Sequence, residues 1–191
     1  MNVGGKIDMS EWSDVFPELA WISDDSLREK VAGVWEEAAN LGGWSGDEIE
    51  GIPFTLLVSA EGVTLTQHTR LVTNLCRSIA EQMKGMGGFD IDEDLLIAGA
   101  LLHDVGKMLE YEKDGGEVKV SRSGKLLRHP LSGMGLAMKG GLPQEVCHII
   151  AVHSREGEGS YRSPEAVILH HADFIAFETI KAVQSAPPKT R

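Results

Sequence analysis

The chain has no apolar run approaching 18 residues, so nothing in it reads as a membrane span. Its 2 cysteines, Cys76 and Cys147, fall inside helical patterns with no CxxC pair, which excludes a disulfide framework and fits a reduced, cytoplasmic compartment. Basic charge is scarce as well: 18 Lys and Arg stand against 29 Asp and Glu, and the net charge of -11 argues against non-specific binding to nucleic acid or anionic lipid. The acidic start (Asp8, Glu11, Asp14) is wrong for a signal or transit peptide. There is no internal repeat and no low-complexity segment. What is left is ordinary soluble material, 42% hydrophobic and 25% charged, of a length that suits one domain with a small appendage.

The acidity is concentrated. Residues 1–62 hold 13 acids and 3 bases, and the remaining 129 hold 16 acids and 15 bases. Between Val118 and Gln144 there are five bases (Lys119, Arg122, Lys125, Arg128, Lys139) and no acid. Alone, such a run is a solvated face. Its position just after the most unusual stretch of the chain favours an anionic ligand instead.

That stretch is Asp94–Lys107, DLLIAGALLHDVGK. Leu95, Leu96, Ile97, Ala98, Ala100, Leu101 and Leu102 leave almost no polar face, which places a helix in the middle of a fold. It ends in His103-Asp104, with Gly106 positioned as a C-terminal stop. A buried imidazole and carboxylate are costly unless paired or bound to a metal.

The other elements read as helices around this one. Ser23-Asp24-Asp25 can cap a helix with Leu27, Val31, Val34, Trp35 and Ala38 on one stripe, stopped by Gly42-Gly43. Residues 1–60 are expected to be a helical flank packed on the core, with the first dozen frayed; Trp12, Trp21, Trp35 and Trp44 in it suit an interface as well as a core. Residues 61–184 form the main domain, and 185–191 are expected to be a disordered tail. Thr64 to Gln67 fits a capping box, and the helix after it buries Leu71, Val72, Leu75, Ile79 and Met83 with His68 on the same stripe. Leu109, Tyr111, Val118 and Val120 alternate around Asp114-Gly115-Gly116, a small hairpin. His129-Pro130 opens a short helix, and the next carries Val146, Ile149, Ile150 and His153 inward, with His148 on the other side. Ser163-Pro164-Glu165 starts the last helix, whose inner face is Ala166, Leu169, His170, Asp173, Phe177 and Ile180, while His171 points elsewhere.

Periodicity therefore turns His68, His103, Asp104, His153 and Asp173 inward and puts His129 at a helix start. A metal would satisfy all six together, and mixed imidazole and carboxylate donors suit Fe, Mn, Zn, Co or Ni. The order His68, His103-Asp104, Asp173, with HDVGK close to an HD-x-G-K motif, resembles the HD superfamily of metal-dependent phosphohydrolases over roughly residues 60–180. The resemblance implies an all-α HD-domain bundle with a small hairpin after the motif. His129 and His153 stand where binuclear members extend the pattern. It implies one metal on His68, His103, Asp104 and Asp173 and a second on His129 and His153, with Asp104 bridging and acting catalytically. Lys107 corresponds to the motif lysine and would meet the substrate's phosphate, although it could equally complement a helix dipole.

The activity implied is hydrolysis of a phosphomonoester or phosphodiester in a small nucleotide or phosphorylated metabolite. Two divalent transition metals would activate water, and Lys107, Arg122, Lys125, Arg128 and Arg155 would position the anion. The GYP motif of the cyclic-di-GMP phosphodiesterases is absent, which argues against that substrate. Two alternatives share the ligand set. One is a mixed-valent di-iron oxygenase of the inositol oxygenase type, to which LPQEV after the motif bears some likeness; the other is a non-catalytic metal-binding HD domain. His170 is a candidate hydrogen-bond partner for Asp173. Oligomeric state is not written in the sequence.

Overall fold

A computed structural model describes residues 9–57 and 62–184, and among these the protein is a bundle of helices with one two-stranded sheet. The helices are α1 (Met9–Val15), α2 (Asp25–Gly42), α3 (Gly46–Ile49), α4 (Leu65–Gly85), α5 (Glu93–Leu102), α6 (Lys107–Glu110), α7 (Arg122–Leu126), α8 (His129–Lys139), α9 (Gln144–Val152) and α10 (Pro164–Gln184). The strands β1 (Tyr111–Asp114) and β2 (Glu117–Val120) pair antiparallel, Tyr111 opposite Val120 and Asp114 opposite Glu117. Gly115 and Gly116 both have positive φ, 61° and 94°, as a tight turn of this kind demands. None of the described helices is long and apolar enough to cross a membrane.

Helix α5 is the axis of the fold. Every residue from Leu96 to Leu102 is buried, and α2, α4, α9 and α10 pack around it. Gly99 lets α9 come close: a Cβ there would sit 2.6 Å from Ile149 Cγ2. Asp92 caps the helix by accepting from Leu95 N at 3.0 Å. Gly106 does not stop the helix in a left-handed turn. His103 remains helical, and Gly106 has φ -62 at the N-terminal end of α6. Glycine is required there for a different reason. A Cβ would lie 2.1 Å from His129 O and 2.8 Å from Gly133 N, so the His-Asp turn could not pack against α8.

The capping signals hold. Asp24 accepts from Leu27 N at 3.1 Å, and Gly43 closes α2 at φ 71. Thr64 and Gln67 form their reciprocal box at 3.3 and 3.1 Å. Ser163 Oγ accepts from Ala166 N at the start of α10. The buried stripe of α4, however, runs through Leu65, His68, Thr69, Val72, Thr73, Cys76 and Ala80. Leu71, expected inward, is 44% exposed, because small Thr, Cys and Ala side chains take the contact and turn the helix away from it. The hairpin begins later than expected: Leu109 and Glu110 belong to α6, not to an alternating strand.

The N-terminal helices share one hydrophobic cluster with α5, α8 and α9. Trp35 Nε1 donates to Leu101 O at 3.1 Å and Trp44 Nε1 to Met108 O at 2.8 Å. Trp12, expected in a frayed end, is buried and stacked with Phe16 at 6.1 Å, which anchors α1. Trp21 is half-buried under Arg77, 4.4 Å from its ring. The expected tail 185–191 lies outside the described residues.

Candidate metal centre

His68 sits one turn into α4, His103 and Asp104 follow the end of α5, His129 opens α8, His153 caps α9, and Asp173 is midway along α10. Six side chains from five helices thus meet at one end of α5. His68, His103, Asp104, His129 and His153 are all buried, at most 7% exposed.

Hydrogen bonds on the outer nitrogens decide how the rings face. His103 Nδ1 donates to Ala100 O at 2.7 Å, and His153 Nδ1 to Ile150 O at 2.7 Å. His129 Nδ1 meets Glu110 Oε2 at 2.9 Å. In each case the proton is held on Nδ1 and the lone pair of Nε2 points inward, the tautomer a metal ligand needs. The inner atoms are close. His103 Nε2 is 3.4 Å from His68 Nε2, and Asp173 Oδ1 is 3.0 Å from His68 Nε2 and 3.9 Å from His103 Nε2. Asp104 divides its oxygens: Oδ2 is 3.6 Å from His68 and 3.4 Å from His103, and Oδ1 is 3.3 Å from His129 and 3.8 Å from His153.

Two triads able to hold a metal result, His68-His103-Asp104 and Asp104-His129-His153. Their fit to a cation shows in an orphan: His153 Nε2 is buried, faces the cluster and has no hydrogen-bond partner. A buried nitrogen lone pair without a donor is uncommon in a native interior, and a bound transition metal removes the anomaly. His68 Nδ1 is likewise unpartnered, on the far side of its ring.

The electrostatics agree for the two carboxylates and for His153. Burial would raise the Asp104 carboxyl, but Lys107 and His103 hold it well below the usual range. Burial also opposes ionisation of Asp173, yet its bond to His68 and the charge of His103 keep it lowered. Burial, reinforced by His103 and His129, takes His153 down to about 3, so it stays neutral and free to ligate. Burial lowers His68 as well; at His103 it is outweighed by the charge of Asp104, and the net shift is upward.

Lys107 is 7% exposed. Its ammonium donates to Asp104 Oδ2 and to Phe54 O, both at 2.5 Å. The centre opens into a cleft of about 750 Å³ whose lining includes Lys107, Lys125, Arg128 and Arg155. Arg122 is not among its lining residues; it is exposed at the start of α7. His170, expected beside Asp173, instead meets His153 O through Nδ1 at 2.6 Å, because its ring lies over the end of α9. His148 accepts from Ser163 N at 3.3 Å and His171 is exposed.

Sequence reasoning missed Glu110. It is 5% exposed and its Oε2 receives both His129 N (2.6 Å) and Nδ1 (2.9 Å), while Oε1 pairs with Arg128 at 3.2 Å. Glu110 fell within the alternating pattern expected of the hairpin, and the signal that separates it is its place one helical turn after Lys107. The apolar wall of the cleft, Phe54, Leu56, Leu57, Phe174 and Phe177, was also unread except for the inward turn of Phe177.

Comparison with known proteins points the same way. The dihydroneopterin 2′,3′-cyclic phosphate phosphodiesterase of Methanocaldococcus jannaschii is 33% identical over 114 residues, 57% of this chain and 44% of that protein. Ribonuclease Y of Desulforudis audaxviator is 30% identical over 138 residues, 72% of this chain and 23% of that protein. Ribonuclease Y of Acidothermus cellulolyticus is 38% identical over 86 residues, 45% and 15% of the two chains. The chain spans less than half the length of each of these relatives. No solved structure matches. The HD domain profile covers residues 65–177, from the first turn of α4 to Phe177, and takes in all six converging side chains. With more than half of its length under that profile and the His-Asp turn at its centre, the chain belongs to the HD domain family.

Proposed function

We propose that the centre binds two divalent transition metals and that the protein hydrolyses a small phosphoester. The observation that carries this is the division of Asp104, one oxygen toward His68 and His103 and the other toward His129 and His153. One buried carboxylate serving two imidazole pairs is what a bridging ligand does, and Asp173 completes the first set. Bound there, the metals would supply a water-derived nucleophile at neutral pH and neutralise charge growing on the phosphoryl oxygens.

The protein's own groups do the rest. Lys107 holds Asp104 charged and oriented; two of its three protons go to Asp104 and Phe54 O, and the third can meet a substrate oxygen. Lys125 and Arg155 draw the anion in from the cleft wall. Arg128 is partly committed, pairing with Glu110 at 3.2 Å and reaching Glu156 at 3.8 Å. The relatives named as phosphodiesterase and ribonucleases support hydrolysis over oxygen chemistry. The net charge of -11 supports a small substrate over a long nucleic acid.

Metal content and turnover test this together. About two metals per chain are expected by elemental analysis, with hydrolysis of a phosphoester panel indifferent to oxygen. Asp104→Asn should lose both metals, and His68→Ala or His129→Ala one each, in variants with unchanged helical circular dichroism. Full metal content in Asp104→Asn overturns the assignment. Two irons with turnover only in oxygen overturn the reaction, and faster cleavage of an RNA oligonucleotide than of every small ester overturns the substrate size.

A further inference from the structure

Three of the four histidines in the centre have their rings fixed from outside. Nδ1 of His103, His129 and His153 meets Ala100 O, Glu110 Oε2 and Ile150 O at 2.7, 2.9 and 2.7 Å. His68 is the exception. Its Nδ1 is buried and has no hydrogen-bond partner, although a histidine ligand ordinarily has a carboxylate, carbonyl or water there. The ring is nonetheless turned inward, with Nε2 3.0 Å from Asp173 Oδ1 and 3.4 Å from His103 Nε2. Those neighbours are themselves metal-facing donors, so they cannot be what holds the ring once a cation lies between them.

What lies against His68 is Phe54. The two rings stack with centroids 4.8 Å apart and 30° between their planes, and Phe177 meets Phe54 edge-on at 6.2 Å. Phe54 is only 1% exposed, yet it belongs to neither hydrophobic cluster of the described residues. Its contacts are with the centre instead. The Lys107 ammonium lies 5.7 Å from the same ring and donates to Phe54 O at 2.5 Å. Backbone pairing holds the residue in place: Leu65 N donates to Ile52 O at 2.7 Å, Pro53 bridges Thr64, and Phe54 N donates to Val63 O at 3.4 Å. Thr64 is the N-cap of α4 and His68 lies one turn in, so this pairing sets Phe54 beside His68. All of it precedes the HD match, which starts at residue 65.

Resting on the two-metal reading of the same centre, we propose that Phe54 is the positioning residue of His68, its ring doing by stacking what a hydrogen bond does for the other three histidines. The terminal torsion of a histidine is broad, so an imidazole without an outer partner can swing Nε2 away from the donors it must join. A flat neighbour with a preferred stacking geometry removes that freedom, whereas an aliphatic side chain of similar volume fills the space without choosing an orientation. The half of the centre built on His129 and His153 has its own outer bonds and does not depend on Phe54.

The experiment reads manganese affinity by chelator competition in two backgrounds. His129→Ala leaves the set of His68, His103, Asp104 and Asp173; His68→Ala leaves that of Asp104, His129 and His153. Phe54→Leu keeps an apolar side chain and removes the flat face, and Phe54→Tyr keeps the face, with Phe54→Trp as a second flat replacement. In the His129→Ala background Phe54→Leu is expected to lose at least roughly tenfold in affinity, restored by whichever flat replacement folds as wild type does. In the His68→Ala background it should change nothing. A residue that merely fills space would weaken both backgrounds alike or neither, and either result overturns the proposal, as does a loss that a folded flat replacement shares. Imidazole NMR of the metal-free protein is the second arm. Contacts between the His68 and His103 rings should appear in wild type and in the flat replacements and vanish in Phe54→Leu; their survival in Phe54→Leu overturns the proposal. If neither background binds metal, the two-metal reading falls, and these spectra still decide whether Phe54 orients His68.

Discussion

Glu110 shows how much of a metal centre is decided one shell out. Its Oε2 fixes both the backbone N–H and Nδ1–H of His129, at 2.6 and 2.9 Å, so the ring can present only Nε2 inward. Burial would raise this carboxyl, but the His129 bonds and then Arg128 keep it lowered and therefore charged. Removing such a partner usually costs ~10–100-fold in metal affinity. Glu110→Ala is thus expected to weaken one of the two proposed metals by that factor and leave the other unchanged, measured by chelator competition. If both affinities are unchanged while thermal stability drops, Glu110 is only a buried structural anion. The six converging donors were legible in the sequence because each sits at a helix position fixed by period or cap. Glu110 was not, because the alternating pattern expected over 109–111 hid its place one helical turn after Lys107. The exact partner of His170 was equally hidden, since a ring at the end of one helix can reach a carbonyl of another that no spacing rule relates to it.

At the scale of elements, α5 owes its place to a clamp at its N-terminal end as well as to its apolar surface. Asp94 accepts from Ser23 N (2.9 Å), Ser23 Oγ (2.7 Å) and Asp24 N (2.9 Å), tying the start of α2 to the start of α5. Burial opposes the charge, but these three bonds hold the carboxyl below its usual range. A depressed carboxylate contributes stability that is present above its unfolded pKa of about 4 and lost as pH falls through the lower folded value. Because the group is largely exposed, about 1 kcal/mol is its scale. The urea midpoints of wild type and Asp94→Ala should differ at about pH 6 and converge as pH falls below about 4. A gap that stays constant over that range would mean the clamp does not depend on charge. Helix starts such as this one were readable from Asp24, Thr64 and Ser163, since a cap is a local event. Helix faces were read less well: Leu71 was turned out because small residues of α4, not its largest, make the close contact with α5 and α10.

Across the whole molecule, the proposed metals and the fold support one another. The donors come from α4, α5 and its following turn, α8, α9 and α10, so a cation bound among them joins five elements that are otherwise held by apolar packing. The apo protein carries the penalty of like groups in proximity: the Nε2 atoms of His68 and His103 lie 3.4 Å apart, and two carboxylates, Asp104 and Asp173, stand beside them. A metal binds the folded state and not the unfolded one, so at a free concentration about 100 times its dissociation constant it adds about 2.7 kcal/mol. For a chain of this size each kcal/mol moves Tm by about 2–4 °C. Saturating manganese should therefore raise Tm by about 5–10 °C over chelator-treated protein, and added chelator should reverse the shift. In Asp104→Asn the shift should vanish, whereas in His129→Ala part of it should remain, because the set of His68, His103, Asp104 and Asp173 is intact. A full shift in Asp104→Asn would place the cation elsewhere on this acidic surface. Equal loss in both variants would show that the two halves of the centre fill only together.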